Sequence, residues 1–115
     1  MMSKNDDEYK PGWVFEFEGE WRFVLSPLAM DELSFLFQEE WGYEPSGDSW
    51  MVVIKTLVNM HSPELVPLLI FDAESDECWV ACSHPEPLGT IAQMLRKLFL
   101  HPEELREALQ KTEPD

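Results

Sequence analysis

Carboxylates at Asp72, Glu74 and Asp76, with Glu77 beside them, come nearest in this chain to a chemical motif. Acidic oxygens at alternate positions resemble the first half of a calcium-binding loop. The spacing then fails: counted from Asp72, the sixth residue is Glu77 where glycine is needed, and the twelfth is Ser83 where a bidentate glutamate is needed. Apolar segments that read as strands flank the run, not helices. The three histidines, His61, His84 and His101, each stand beside a serine or proline at an expected element end, and none has Cys or His at metal-ligand spacing. Cys78 and Cys82 are four residues apart, roughly 13 Å along a strand at about 3.3 Å per residue. A disulfide needs Cα atoms within about 7 Å, so two free thiols are expected. The chain has no Gly-x-Ser-x-Gly elbow, phosphate-binding loop or Gly-x-Gly-x-x-Gly turn. No catalytic site, metal or cofactor is therefore expected, and the chain reads as a non-enzyme.

What the acids do supply is charge. The 115 residues hold 8 Lys+Arg against 23 Asp+Glu, a formal net charge of −15. Between Phe23 and Leu95 the only base is Lys55, against twelve carboxylates. Yet 44% of residues are hydrophobic and 12% aromatic, more than a disordered acidic chain carries, so a folded domain with a negative surface is expected. Direct binding to nucleic acid is disfavoured, because it depends on Lys and Arg neutralising phosphates. Anionic membrane is disfavoured for the same reason, and no apolar run approaches the 18 residues of a membrane span. The N-terminal residues from Met1 to Glu8 lack the apolar core of a secretory signal. Together with free thiols this leads to an expected cytoplasmic location.

Two acidic concentrations are candidates for a recognition surface. One is Glu39, Glu40, Glu44 and Asp48, with Tyr43 inside it; the other is Asp72, Glu74, Asp76 and Glu77. A negative patch steers a basic partner, and aromatics anchor interface centres. The alternative for the same residues is a solvated coat that aids solubility. Trp41 and Tyr43 are also candidates for core packing.

The elements that must position these groups follow from periodicity. Trp13, Phe15 and Phe17, then Trp21, Phe23 and Leu25, alternate with other residues as strands do. A register placing Phe17 opposite Trp21, Phe15 opposite Phe23 and Glu16 opposite Arg22 would put all the aromatics on one face, with Gly19 in the turn. Ser26-Pro27 starts a helix through Leu33, Leu36, Phe37 and Trp41, ending at Gly42. Trp50, Val53, Ile54, Leu57 and Val58 have helical spacing, with Asp48 or Ser49 available as a cap; a strand over Met51 to Ile54 is the rival. Residues 67–71 and 78–82 form a second hairpin around an acidic tip at 72–77. Leu68, Ile70, Trp79 and Ala81 share one face and Leu69, Phe71, Cys78 and Val80 the other. Both faces are apolar, which requires central strands or cover from a partner. Leu88, Ile91, Leu95 and Leu98 mark a helix ended by His101-Pro102, and Leu105 and Leu109 a last short one.

The expected fold is α+β, with two antiparallel hairpins in a mainly antiparallel sheet and about four helices, in the order ββααββαα. Residues 1–11 read as a flexible leader, 12–112 as one domain and 113–115 as a tail.

The run from Gly47-Asp48-Ser49-Trp50 through an amphipathic helix, Leu69-Ile70-Phe71-Asp72-Ala73-Glu74, a second strand ending near Ser83 and a Leu-rich helix resembles the immunity protein 51 family of bacterial polymorphic toxin systems. Its sharpest piece is Phe71-Asp72-x-Glu74, and Ser75-Asp76-Glu77-Cys78 lengthens the tip relative to that pattern. The resemblance covers residues 47 to about 110 and leaves the aromatic hairpin outside. It implies a cytoplasmic protein that binds and neutralises a cognate toxin domain. Toxic nucleases need basic surfaces to hold nucleic acid, so the expected partner is a basic toxin domain. The expected contact residues are Glu39, Glu40, Tyr43, Glu44, Asp48, Asp72, Glu74, Asp76 and Glu77. The alternative is a non-catalytic adaptor or self-associating module, and a homodimer is compatible with it.

Overall fold

The structure, a computed structural model, describes residues 9–74 and 77–112. Residues 1–8 of the leader, the candidate contact Asp76 and the tail 113–115 lie outside the described residues. The fold is α+β in the expected element order, with four antiparallel strands on one side and helices on the other.

Strands β1 (Gly12–Phe17) and β2 (Glu20–Leu25) form the first hairpin. Its turn is Glu18-Gly19, with φ of 53° and 80°. Positive φ at both central residues is the two-residue turn whose twist matches the flanking strands. That turn fixes Phe17 opposite Glu20, Glu16 opposite Trp21 and Phe15 opposite Arg22. The register is thus one residue away from the one expected, and the slip has a large consequence because side chains alternate faces. Val14, Phe23 and Leu25 face the core and are buried. Trp13, Phe15 and Phe17 face away from it, beside Arg22 and Val24.

Where one helix was expected there are two, α1 (Pro27–Glu32) and α2 (Ser34–Trp41), broken at Leu33. Gly42, with φ 84°, closes α2 by donating its N–H to the carbonyl of Gln38. Helix α3 (Gly47–His61) buries Trp50, Val53, Ile54, Leu57 and Val58, as their spacing requires. Its cap is Ser46, whose hydroxyl accepts from the Ser49 N–H at 3.3 Å, not Asp48 or Ser49.

The segment Pro63–Leu68 is a 3-10 helix, so the second hairpin begins later than expected. Pro63 in its first turn and Pro67 near its end favour a tight turn, since proline fixes φ and cannot donate to a ladder. Strands β3 (Ile70–Glu74) and β4 (Glu77–Cys82) then pair antiparallel. Asp72, Glu74 and Glu77 therefore belong to strands, not to a long acidic loop. Ile70, Trp79 and Ala81 share one face and Phe71, Cys78 and Val80 the other, as the alternation predicts. The sheet order is β1-β2-β4-β3, which makes β4 central and β3 an edge.

Helices α3 and α4 (Glu86–Leu100) cover the face carrying Phe23, Val80 and Cys78, and α5 (Pro102–Lys111) closes the helical layer against α2 and α4. Trp50 is the centre of this core, 4.9 Å from the Phe37 ring and stacked 5.8 Å from Phe99. Tyr9, within the stretch read as leader, is buried in the same core, and Arg96 donates to the Lys10 carbonyl at 3.1 Å. The packed fold thus begins before Trp13.

Candidate protein-recognition surface

The start of α3 decides where half of the candidate acids go. A Cβ on Gly47 would lie 2.1 Å from the Glu74 carbonyl oxygen and 2.2 Å from that of Glu77. Only glycine lets the helix approach the hairpin backbone this closely. The approach sets Asp48, in the first turn of α3, against the strand ends that carry Asp72, Glu74 and Glu77. Asp48 and Asp72 line one cleft of about 290 Å³ with Met51, Val52, Phe71 and Ala73. Lys55 is the base of this cleft, its Nζ held 5.5 Å from the Phe71 ring centroid. The Asp72 carboxylate accepts from the Ala73 N–H at 2.8 Å. Two acidic groups separated by more than twenty residues in sequence are brought to one place.

The other acids go elsewhere. Glu39 and Glu40, at the end of α2, face Arg106 of α5, which pairs with Glu39 and lies 3.6 Å from Glu40. An exposed ion pair of this kind contributes at most about 1 kcal/mol, but it leaves less charge free for a partner. Trp41 is half-buried, and its indole N–H donates to the Leu109 carbonyl at 3.1 Å, which ties α2 to α5. Tyr43 is 38% exposed and leans on Trp41 with ring centroids 6.0 Å apart. Glu44 is exposed in the same connecting loop. Sequence proximity grouped Glu39, Glu40 and Asp48; in the fold Glu39 and Glu40 lie against Arg106 of α5, whereas Asp48 lines a cleft with Asp72.

The outward face of the sheet holds three of the aromatic residues that the expected register had placed together with Trp21 and Phe23. Trp13, Phe15 and Phe17 of β1 stand there beside Arg22 of β2 and Trp79 of β4. The Arg22 guanidinium lies 5.0 Å from the Phe17 centroid and 4.7 Å from that of Trp79, within the range of cation–π attraction. Its Nε donates to Glu20 at 3.0 Å. Ala81, directly opposite Arg22, is fully buried on this same face, so its larger neighbours close over it. The Glu18-Gly19 pair was the available signal, because a two-residue turn dictates this register.

The cysteines are free and buried. Burial, with the Asp48 charge adding to it, pushes the Cys78 thiol from 9.0 up to about 12. A thiol raised this far is not a nucleophile near neutral pH. Between pH 9 and 12 the unfolded thiol ionises while the folded one keeps its proton, so the folded state loses stability as pH rises through that window. Urea melts from pH 8 to 11 should show this decline, and Cys78→Ala should flatten it.

Among the described residues, no group of three or more His, Cys, Asp and Glu is arranged to hold a metal ion. No helix among them is long and apolar enough to cross a membrane. Comparison with curated proteins and with solved structures finds no match. The family model for immunity protein 51 matches residues 17–114, which carries the likeness noticed from residue 47 back through α2, α1 and β2. With that match spanning most of its length, on an α+β fold built around a four-stranded antiparallel sheet, the chain belongs to the immunity protein 51 family.

Proposed function

We propose that this protein protects its cell by binding a cognate toxin domain, and that the toxin is a basic nuclease met in the cytoplasm. The protein acts by occupation and not by catalysis. The observation that carries this reading is the placing of Asp72, Glu74 and Glu77 at outward positions of β3 and β4, with Asp48 lining a cleft together with Asp72 at the same edge of the sheet, in a chain of net charge −15. A nuclease holds its substrate through Lys and Arg, so a surface of carboxylates competes for the same groups. Opposite charge also raises the rate of encounter, which matters when an incoming toxin must be captured before it acts.

The test pairs the protein with the toxin domain encoded beside it. Co-expression should restore growth to cells making that domain, and association followed by stopped flow should slow as salt is raised. Exposed charges are screened within about 8 Å at physiological ionic strength and about 3 Å at 1 M. An association rate that does not change with salt contradicts an electrostatic capture surface.

A further inference from the structure

The helices cover one face of the sheet, and the other carries both aromatic rings and acids. The register aligns Trp13, Val24, Trp79 and Asp72 across the four strands, and beside them Phe15, Arg22, Ala81 and Ile70. Aromatic side chains therefore concentrate toward the β1 edge and carboxylates toward the β3 edge. Trp13, Phe17 and Ile70 are 40%, 45% and 55% exposed. Strand positions on this face supply Glu20, Asp72, Glu74 and Glu77 against one base, Arg22. That base is held by Glu20 and by the Phe17 and Trp79 rings.

We infer that the toxin seats on this outward sheet face, with the aromatic cluster around Arg22 as the centre of the interface and Glu20, Asp72, Glu74 and Glu77 as its charged rim. This rests on the toxin-binding reading above and adds where the toxin sits and what holds it there. Interfaces of measured energetics place aromatic residues and Arg at a desolvated centre and leave charges at the rim. Rim charges govern the rate of approach, whereas the centre governs how long the complex lasts.

Charge selects the occupant. A second copy packed face to face would bring eight carboxylates into one interface against two Arg22 side chains already held by Glu20, and like charges brought together cost several kcal/mol. Single-stranded nucleic acid can stack on exposed rings, but its phosphates meet the same repulsion. A basic protein surface satisfies both features: its Lys and Arg pair with the rim, and their aliphatic stems cover the rings.

The probe is the purified toxin domain encoded beside this protein, with binding rates measured for four forms of the chain. The triple variant Trp13→Ala, Phe17→Ala, Ile70→Ala should dissociate about 100-fold faster with little change in association rate. Asp72→Asn, Glu74→Gln, Glu77→Gln should mainly slow association. Met60→Ala, on the exposed side of α3, should match the wild type. Thermal melts establish that each variant is folded. Should the triple variant melt early, a photo-crosslinker placed at Phe17 or at Met60 in turn replaces it, and crosslinks from Phe17 alone are expected.

Unchanged dissociation in a folded triple variant, or crosslinks from Met60 alone, would overturn the sheet-face site while leaving toxin binding intact. Failure of the wild type to bind the domain even at low salt would overturn toxin binding itself. Light scattering that shows a dimer dissolved by the triple variant would assign the face to a second copy. Binding of a single-stranded oligonucleotide at low salt, lost in the same variant, would assign it to nucleic acid.

Discussion

Replacing Asp48, Asp72, Glu74 and Glu77 together by Asn and Gln should slow association with a basic toxin domain by about 10- to 100-fold at low salt. The same four changes should nearly abolish the salt dependence of the association rate. Steering depends on the summed field of neighbouring charges; Asp72, Glu74 and Glu77 share the outward face of β3 and β4, and Asp48 lines a cleft with Asp72 at that edge. Neutral amides of similar size preserve the packing, so melting temperature should change little. The control, which removes two charges against four, is Glu39→Gln, Glu40→Gln. Both residues already face Arg106, so their loss should alter the rate far less. Slowing by the control of half the logarithmic effect of the quadruple change, in proportion to the two charges removed against four, would mean that only total charge matters.

Gly47→Ala should destabilise the fold by about 1–3 kcal/mol, which corresponds to a melting temperature lower by very roughly 3–15 °C. The added methyl meets backbone oxygens at 2.1 Å and 2.2 Å, and backbone cannot rotate out of the way as a side chain can. The start of α3 must then lift from the β3–β4 hairpin, which also carries Asp48 away from Asp72. Association should therefore slow even when all the protein is folded. Gly89→Ala provides the contrast. Among the described residues its added methyl would meet Tyr9 alone, at 3.7 Å, and alanine is the better helix former, so the change should be neutral or stabilising. Melts followed by circular dichroism separate the two.

The helices were legible because burial imposes a period. Trp50, Val53, Ile54, Leu57 and Val58 all point inward from α3, and Leu88, Ile91, Leu95 and Leu98 do so from α4. The faces of β3 and β4 followed from simple alternation. The first hairpin misled because the expected register gathers every aromatic residue on one face, with Glu16 opposite Arg22 on the other. Both registers satisfy the alternation, and the turn decides between them. With Glu18 and Gly19 both at positive φ, Trp13, Phe15 and Phe17 turn outward and Val14 turns in. The site was legible only in part. No spacing rule foretells that Gly47 will meet Glu74 and Glu77, or that Arg106 will pair with Glu39 across 67 positions. Those meetings belong to the packing of α3 on the sheet and of α5 on α2.

Amide hydrogen exchange of the protein, free and saturated with its cognate toxin domain, reads out which face the toxin covers. Slowed exchange confined to residues 12–24, 47–52 and 70–82 is the predicted result, since these contain the outward sheet face and the acids beside it. Protection confined to α5 and the outer side of α2, with the sheet exchanging as in the free protein, would put the toxin on the helical layer and rule out the sheet face.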